Sequence, residues 1–432
     1  MLRIAVTATP LYGHVAPLLG VARALARRGH EVTVLTGREF RDLVVGDGLV
    51  FAPLPRAADI VHRPDRGPRP RVVQGREAIL ETFVRPLPAQ HLALQDLLRH
   101  GPWDVVVSDA AFLGALPLVL TAGPGARVPV IGVSVTPLSL TSVDAAPFGS
   151  ALQPGRTSRT RRRNQRIHWL LRRGPLGPLH TELDRILVGL SVAPGTVDYF
   201  DHATYFDLTF QLAPAELEYP RRELPSTVRF VGPMLGEAIP TERPGWWDDL
   251  TGRCVVHVTQ GTLDTDPGKL IVPSIQALAD EPVLTVVTTK VPELALASAL
   301  GGRLPPNTRT APFLHYDELL PMVGAVVSNG GFGGVQHALR FGVPLVVAGD
   351  TEEKPEVAAR VRYAGVGIDL RTGRPRPRQV RRAVRAVLTE PRYAVEAARV
   401  SRSIQRLGDP ATTIADAVET ACRSATLPRR LP

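Results

Sequence analysis

The sequence predicts an α/β fold made of two domains, each built on a parallel β-sheet. The chain opens with short apolar segments at residues 4–8 and 31–36, which flank a helical pattern. Such a β-α-β unit implies parallel strands joined by a right-handed crossover. A second series of short apolar segments begins at Cys254. Because the chain has 432 residues, each half is long enough to bury a core of its own.

The composition is typical of a globular protein and gives no sign of a nucleic-acid partner. Hydrophobic residues make up 44% and charged residues 21% of the chain, with a net charge of +10. The positive charge is almost entirely arginine, since lysine occurs only at Lys269, Lys290 and Lys354. No helix-turn-helix, zinc or aromatic RNA-binding motif accompanies it. A basic protein still attracts anionic small molecules through its general field.

The cysteines and the hydropathy pattern predict a cytoplasmic protein without an integral membrane segment. Cys254 and Cys422 are far apart in the sequence and cannot form a metal site by themselves, so a reducing compartment is the simplest expectation. The N-terminal residues enter a strand pattern with no signal-peptide layout. No uncharged apolar run reaches the roughly 18 residues that suggest a membrane-spanning helix.

The first β-α-β unit supplies a candidate general base. Residues 4–8 and 31–36 are predicted strands, 9–17 a loop, and 18–28 a helix that ends at Gly29. His14 lies in the predicted loop, at the carboxyl edge of the sheet. A histidine with a pKa near 6.5 can remove a proton from a hydroxyl group. The alternative is a loop histidine that only hydrogen-bonds the backbone.

Two further strands follow in the first domain. Residues 104–109 form a strand ending in Asp109, a residue that can also cap a helix beginning near Ala111. Residues 128–136 form the next strand. We expect the stretch 149–177 to be a loop with a solvated basic surface, with an anionic ligand or partner as the alternative. Its arginines are Arg156, Arg159, Arg161, Arg162, Arg163, Arg166, Arg172 and Arg173.

The proline-rich residues 219–250 predict a linker between the domains. The second domain then begins with a strand at 254–260, which ends in Gly261-Thr262, and continues with a strand at 283–289.

The most informative stretch of the second domain follows a short apolar run at 324–327. Here the glycine-rich residues 329–334 precede a helical pattern that ends at Gly342, and this pattern predicts a strand, a glycine turn and a helix. The free N–H groups at the start of such a helix favour an anion such as a diphosphate. A buried strand at 343–348 and an acidic loop at 349–355 come next. A generic α/β turn without a ligand is the alternative, because the glycines match neither the dinucleotide fingerprint nor a P-loop.

These segments together resemble the family 1 glycosyltransferases of the GT-B fold, particularly the bacterial natural-product and macrolide type. The resemblance rests on Gly-His-Val-Ala-Pro at 13–17, on Val-Gly-Pro at 231–233, and on the glycine cluster followed by Gly-Val-Pro at 342–344. It implies two Rossmann-like domains that face each other across a cleft. The implied units are an acceptor-binding domain at 1–218, a linker at 219–252, a nucleotide-sugar-binding domain at 253–410, and a terminal helix and tail at 411–432 that pack back on the first domain.

The resemblance also implies an activity and its residues. The activity is inverting transfer of a sugar from a nucleoside-diphosphate sugar to a small lipophilic acceptor, with no metal or other cofactor. His14 becomes the general base and Asp109 the carboxylate that orients it and stabilises its protonated form. Phe313 stacks on the nucleobase, with core packing as the alternative. The implied donor-binding residues are Gly261, Thr262, Phe313, Asn329, Gly330, Gly331, Gly333, Gly334, His337, Glu353 and Lys354. The resemblance predicts no oligomeric state.

Several positions depart from the family pattern, and most of them fall in the donor site. Asn329, Gly334 and His337 stand where the family has histidine, a hydroxyl residue and glutamate, and Glu353-Lys354 replaces an Asp-Gln pair. Lys354 either contacts the diphosphate or, as a lone loop lysine usually does, pairs with Glu353 or reaches solvent. The altered loop leaves a second hypothesis, a non-catalytic homologue that binds a sugar nucleotide or a partner protein. A sugar-nucleotide epimerase of the same fold is a third.

Overall fold

The computed structural model describes residues 1–59, 71–123, 125–155, 157–236, 242–261 and 266–426. In these residues the predicted fold is confirmed, because the chain forms two parallel sheets, each flanked by helices. Among the described residues, no helix has the length and apolar surface needed to cross a bilayer.

The first sheet has seven strands in the order β3-β2-β1-β4-β5-β6-β7. Its strands are β1 (Arg3–Thr7), β2 (Glu31–Thr36), β3 (Val50–Pro53), β4 (Val105–Asp109), β5 (Val130–Ser134), β6 (Leu208–Gln211) and β7 (Val228–Phe230). The α-helices of this half are α1 (Tyr12–Arg27), α2 (Arg41–Gly46), α3 (Arg71–Ile79), α4 (Leu87–Arg99), α5 (Leu116–Thr121), α6 (Ser158–Arg173) and α7 (Gly177–Gly189).

The second sheet has six strands in the order β10-β9-β8-β11-β12-β13. Its strands are β8 (Val255–Thr259), β9 (Leu284–Thr288), β10 (Thr308–Ala311), β11 (Val323–Ser328), β12 (Leu345–Val347) and β13 (Gly367–Asp369). The α-helices here are α8 (Ile271–Leu278), α9 (Glu293–Ala299), α10 (Tyr316–Leu319), α11 (Phe332–Arg340), α12 (Lys354–Tyr363), α13 (Pro377–Thr389), α14 (Pro391–Leu407) and α15 (Pro410–Thr426).

Each sheet reverses its strand order once, and these two points define the edges where ligands bind in open α/β sheets. In the first sheet the reversal lies between β1 and β4, which pair in parallel with Thr7 opposite Ser108. In the second sheet it lies between β8 and β11, with Thr259 opposite Ser328. The segments that leave these four strands at their carboxyl ends contain His14, Asp109, the Gly261 loop and the glycine cluster.

Apolar side chains on both faces of each sheet form the cores, as continuous hydrophobic strands require. All five residues of β4 are buried. The last helix, α15, buries Ile414 and Val418 in the same core as α1 of the first domain. Ion pairs of Arg28 with Asp416 at 2.7 Å and of His30 with Glu419 at 3.1 Å fix this return of the chain.

The structure corrects two predictions in the first domain. The predicted loop at 9–17 is shorter, since α1 begins at Tyr12 and contains both His14 and Pro17. The proline withholds one N–H from the helix, but the buried apolar face of α1 holds the helix together through that position. The predicted basic loop at 149–177 contains the whole of α6, whose Asn164 is buried while Arg161 pairs with Asp144 at 2.8 Å.

The proline-rich stretch between the domains is also more structured than a linker. It contributes β7 to the edge of the first sheet. Near its end, Trp247 and Leu250 lie in a short turn and are buried in the core of the second domain. The described part of this stretch is therefore divided between the two sheets, since Val228–Phe230 pair with the first and Trp247 and Leu250 pack in the core of the second.

Candidate active site

A buried histidine–carboxylate pair lies at the reversal point of the first sheet. His14 is in the first turn of α1 and Asp109 is the last residue of β4. Nδ1 of His14 is 2.9 Å from Oδ2 of Asp109, and both side chains are nearly inaccessible to solvent. Because an ionised carboxylate only accepts hydrogen bonds, Nδ1 carries the proton and Nε2 of the neutral ring keeps a free lone pair. Among the described residues, Nε2 of His14 has no hydrogen-bond partner.

Backbone groups hold the carboxylate of Asp109 in place. Oδ2 also accepts the N–H of Thr9 at 3.2 Å, and Oδ1 accepts the N–H of Ala111 at 3.1 Å. The alternative interpretation of Asp109, an N-cap of a helix beginning near Ala111, is wrong, because the next helical turn begins at Leu113 and has Phe112 as its N-cap.

The pair shifts the pKa values of both of its members. Burial alone lowers the pKa of His14, but the charge and hydrogen bond of Asp109 outweigh burial, so the pKa lies above its ordinary value. Burial alone raises the pKa of Asp109. The charge interaction and hydrogen bond with His14, together with the hydrogen bonds from Thr9 and Ala111, outweigh burial, so the pKa of Asp109 lies below its ordinary value. A base that gains a proton beside a fixed carboxylate is stabilised in its charged form.

Aromatic rings surround the pair on the first-domain side. The ring of Phe83 lies 5.9 Å from that of His14. Tyr199 is buried near enough to Asp109 for the carboxylate charge to add to burial in raising its pKa. Phe200, the neighbour of Tyr199, packs edge-on against it at 5.2 Å and lines a cavity of about 120 Å³. Other residues that line this cavity are Phe148, Trp169, His180, Asp198 and Ser139.

The second domain presents the start of α11 at its own reversal point. Phe332, Gly333 and Gly334 occupy the first three positions of this helix, and the first backbone bond that closes it runs from Val335 N–H to Gly331 C=O at 3.0 Å. The first N–H groups of a helix have no partner within it. A Cβ built on Gly333 or Gly334 meets no atom within 4 Å, so the side of the helix at these two positions borders open space.

The loops beside α11 pack tightly. The side-chain amide of Asn329 donates to the carbonyl of Gln260, which connects the glycine cluster to the loop containing Gly261. Gly330 and Gly261 both adopt positive φ, at +87° and +76°. Position 349 requires glycine because the backbone of Asn329 lies close to it, and a Cβ there would be 2.0 Å from the carbonyl oxygen of Asn329. Six predicted donor residues, Gly261, Asn329, Gly330, Gly331, Gly333 and Gly334, are therefore brought to one edge.

The predicted acidic loop at 349–355 ends earlier than expected, because α12 begins at Lys354 and Glu353 is its N-cap. Glu353 is half-buried, and burial raises the pKa of its carboxyl group. It is close enough to His14 for its charge to raise the pKa of that histidine. Lys354 is buried and its Nζ pairs with Glu352 at 2.5 Å and with Thr351 at 3.2 Å. The expectation that Lys354 pairs with Glu353 or reaches solvent is therefore wrong.

The other predicted donor residues are farther along the second domain. His337 directs Nε2 to Asp317 at 2.7 Å, and its ring lies 5.3 Å from that of Tyr316. Phe313 is 57% exposed, which excludes core packing for its ring. Thr262 lies outside the described residues, as do its neighbours up to residue 265. Among the described residues, no group of His, Cys, Asp and Glu side chains has the arrangement of a metal site.

Sequence reasoning missed several residues that build this site. Thr9 was part of the predicted loop, but its backbone contact with Asp109 depends on a strand pairing across about 100 residues. Phe83 and Tyr199 belong to segments with no recognisable motif, and only their aromatic character near the acceptor region could have suggested them. Glu356 and Arg360 on α12 are buried, and the sequence gave no sign of this because charged residues on a helix are usually solvated.

Comparison with known proteins supports a glycosyltransferase. Residues 271–420 match the model of the erythromycin biosynthesis protein CIII-like C-terminal domain. The chain is 40% identical to 4'-demethylrebeccamycin synthase of Lentzea aerocolonigenes, covering 92% of this chain and 94% of that protein. It is 34% identical to UDP-glucosyltransferase 1 of Beauveria bassiana, covering 91% and 89%.

A solved structure shows the same architecture. The glycosyltransferase VinC in complex with dTDP superposes with a TM-score of 0.68, at 20% identity and with coverage of 98% of this chain and all of that one. At this identity the likeness concerns the fold. The whole-length relationship at 40% identity and the two facing parallel sheets lead to one conclusion: the chain belongs to the GT-B natural-product glycosyltransferases and is an enzyme of that family.

Proposed function

We propose that the protein transfers a sugar from a nucleoside-diphosphate sugar to a small lipophilic acceptor with inversion at the anomeric carbon, and that His14 is the general base. The observation that carries this proposal is the buried pair of His14 and Asp109. It has a free Nε2 lone pair and lies at the sheet edge nearest Glu353 of the second domain. The first domain would bind the acceptor and the second the donor, with bounds at 1–218 and 253–410.

In the proposed reaction, the acceptor proton moves to Nε2 of His14 while the acceptor atom forms a bond to the anomeric carbon. The bond from that carbon to the diphosphate oxygen breaks, and its electron pair stays on the diphosphate. Asp109 does not take the proton. Its charge stabilises the imidazolium that forms, as the carboxylate does in hydrolase triads.

The start of α11 suits the leaving diphosphate. The N–H groups of Phe332, Gly333 and Gly334 add to the positive end of the helix dipole, and both favour a developing negative charge. Because these donors belong to the backbone, the loss of side-chain donors at Asn329 and Gly334 removes only part of the usual anion site. In this proposal the leaving group is stabilised without a metal ion.

The aromatic cavity beside Tyr199 supports a lipophilic acceptor. Phe148, Phe200 and Trp169 present rings to it, while Nδ1 of His180 is buried without a hydrogen-bond partner among the described residues. An acceptor with an extended apolar or aromatic body and one polar group matches such a lining. The two free cysteines agree with a cytoplasmic location, which we include in the proposal.

The non-catalytic alternative is not favoured. Its motivation was the altered donor loop, but the whole-length relatives are named as enzymes. The buried pair of His14 and Asp109 also supports catalysis, because burying the carboxylate costs free energy and a purely binding protein has no use for the general base that this carboxylate orients.

Donor binding can be tested by thermal unfolding with UDP, dTDP, GDP and CDP and with their sugar conjugates. A ligand at about 100 times its dissociation constant stabilises the fold by roughly 2.7 kcal/mol. We expect UDP or dTDP to stabilise the protein most, as the names of the relative from Beauveria and of the VinC complex suggest. Stabilisation by none of the nucleotides, together with no transfer of any sugar to a panel of aromatic alcohols and amines, would refute the proposal.

A further inference from the structure

A buried ionic cluster joins the second domain to the first, and the proposed reaction does not use it directly. Its centre is Arg360 on α12, which is 1% exposed. The guanidinium donates from Nε to Glu218 of the first domain at 3.1 Å and from Nη2 to the carbonyl of Leu138 at 2.9 Å. It also stacks over the ring of Tyr219 at 4.5 Å. Its partners outside α12 therefore belong to the first domain or, as Tyr219, to the residue that follows it.

Glu356 extends this contact by one helical turn. One carboxylate oxygen accepts the backbone N–H groups of Gly149 at 2.9 Å and Ala151 at 2.8 Å. The other accepts Nη1 of Arg360 at 2.8 Å. The side chain of Gln153 adds a bond to the carbonyl of Ala359 at 3.1 Å. The loop between β5 and α6 is in this way bound along the side of α12.

The cluster balances its charges. Glu218 also accepts the N–H of Leu138 at 2.7 Å and lies 3.5 Å from Arg221, so two carboxylates face two guanidinium groups. Burial of such ions gains little net stability, because desolvation offsets their attraction. These hydrogen bonds are numerous and directional, so they fix one orientation of α12. A displaced helix would leave buried charges without partners.

The contacts of Arg360 also determine where the N-terminal end of α12 lies. The helix has 10 residues and spans about 15 Å, so it moves as a rigid rod. Glu353 immediately precedes it and lies two turns from Arg360. We propose that Arg360 is a positioning residue. Its bonds to the first domain hold α12 so that Glu353 stays beside His14 while a sugar is bound between them. This inference rests on the proposed function, in which that space receives the transferred sugar.

The proposal has a signature in the titration of His14. The titratable groups that face this histidine are Asp109 and His202 from the first domain and Glu353 from the second, with Tyr199 beside Asp109. Glu353 raises the pKa of His14. If α12 is released, Glu353 moves away and the pKa of His14 falls. A contact that only stabilises the fold would not change this pKa.

Arg360→Met keeps the length of the side chain and removes its bonds. We expect the pKa of His14, followed by NMR of labelled histidine and assigned with His14→Gln, to fall relative to wild type. We also expect kcat to drop by roughly 10- to 100-fold, as for a small misplacement of reacting groups, with nucleoside-diphosphate affinity changed less than about threefold. Arg127→Met is the matched control, because Arg127 makes two bonds to Asp207, at 2.7 and 2.8 Å, within the first domain.

Glu356→Gln provides a milder second variant in case Arg360→Met does not fold. Its amide oxygen can keep the bonds from Gly149 and Ala151, while its NH₂ group faces the guanidinium of Arg360 and loosens that link alone. It should lower the pKa of His14 in the same direction by a smaller amount.

An unchanged His14 titration in Arg360→Met, or in Glu356→Gln if the first variant does not fold, would overturn the positioning role. So would equal changes in Arg360→Met and Arg127→Met. The titration of His14 does not depend on catalytic activity. If the wild-type protein has no transferase activity, the proposed function is refuted, but the titration still decides whether Arg360 positions α12.

Discussion

Asp109→Asn is the substitution that tests the account of the catalytic pair most sharply. The carboxylate accepts three hydrogen bonds, from the N–H groups of Thr9 and Ala111 and from Nδ1 of His14. An asparagine amide has the same shape but offers one oxygen and one NH₂ group. Whichever way the amide turns, its NH₂ group faces at least one N–H donor.

The two orientations of the amide have different costs. With the oxygen toward Ala111, the N–H of Thr9 loses its acceptor, and the NH₂ group forces His14 into the tautomer that carries its proton on Nε2, so that ring cannot act as base. With the oxygen toward His14, the N–H of Ala111 loses its acceptor, which costs roughly 1–3 kcal/mol of stability. Neither orientation keeps the negative charge that stabilises protonated His14, so we expect kcat to fall by about 10²- to 10⁴-fold, the usual contribution of general base catalysis.

The pH dependence gives an independent check of the same variant. The pKa of His14 is raised above 6.5 in the folded protein, so wild-type kcat/KM should rise with pH through a value above 6.5. Without the charge of residue 109, burial dominates and moves this limb to lower pH. The pair also stabilises the fold. Its contribution is present above the unfolded pKa of Asp109, 3.8, and below that of His14, 6.5, and it declines as pH rises through the folded pKa of His14.

The assay is the initial rate of sugar transfer between pH 5 and 9, with thermal unfolding measured over the same range. A variant that keeps kcat within about threefold of wild type and shows an unmoved acid limb would refute the assignment of the pair. Nucleotide-induced stabilisation should persist in the variant, which separates a catalytic loss from a misfolded donor domain.

The remaining predictions concern the base, the donor edge and the metal. His14→Ala should lose transfer to an unactivated alcohol by at least about 10²-fold while binding nucleotides normally; full transfer would contradict the base assignment. Gly334→Ala should keep its fold but weaken nucleoside-diphosphate binding in calorimetry, whereas Gly349→Ala, whose Cβ would meet the carbonyl of Asn329, should lower the melting temperature. Phe313→Ala should weaken nucleotide binding by about 1–3 kcal/mol without loss of stability if its exposed ring stacks on the base. Transfer should be insensitive to EDTA, and loss of rate restored by Mg²⁺ would refute a metal-free leaving group.

Much of the fold was predictable because parallel strands buried on both faces leave continuous apolar segments in the sequence. The same regularity located His14 and Asp109, since each follows or ends a strand and the carboxyl ends of parallel strands share one edge. The glycine cluster was equally visible, because a turn that starts a helix needs glycine where the backbone must approach a neighbour, as Gly330 does here.

Other features depended on contacts that the sequence does not display. Pro17 suggested a loop, although α1 already begins at Tyr12. The arginines of α6 suggested a solvated loop, but Asn164 and Arg161 anchor the helix to its own domain. The partner of Lys354 turned out to be Glu352, because entry into α12 turns the side chain back toward the loop. Arg360 meets its first-domain partners from more than 100 residues away, and no local pattern encodes such a pairing.

The anomeric configuration of the product shows whether the sugar is transferred with inversion. Wild-type enzyme is incubated with the nucleotide sugar that stabilises it most and with an aromatic acceptor, and the anomeric coupling constant of the product is read by proton NMR. The account predicts a glycoside of configuration opposite to the donor, formed by wild type and essentially absent with His14→Ala. A product that retains the donor's configuration, or one formed equally well without His14, would contradict it.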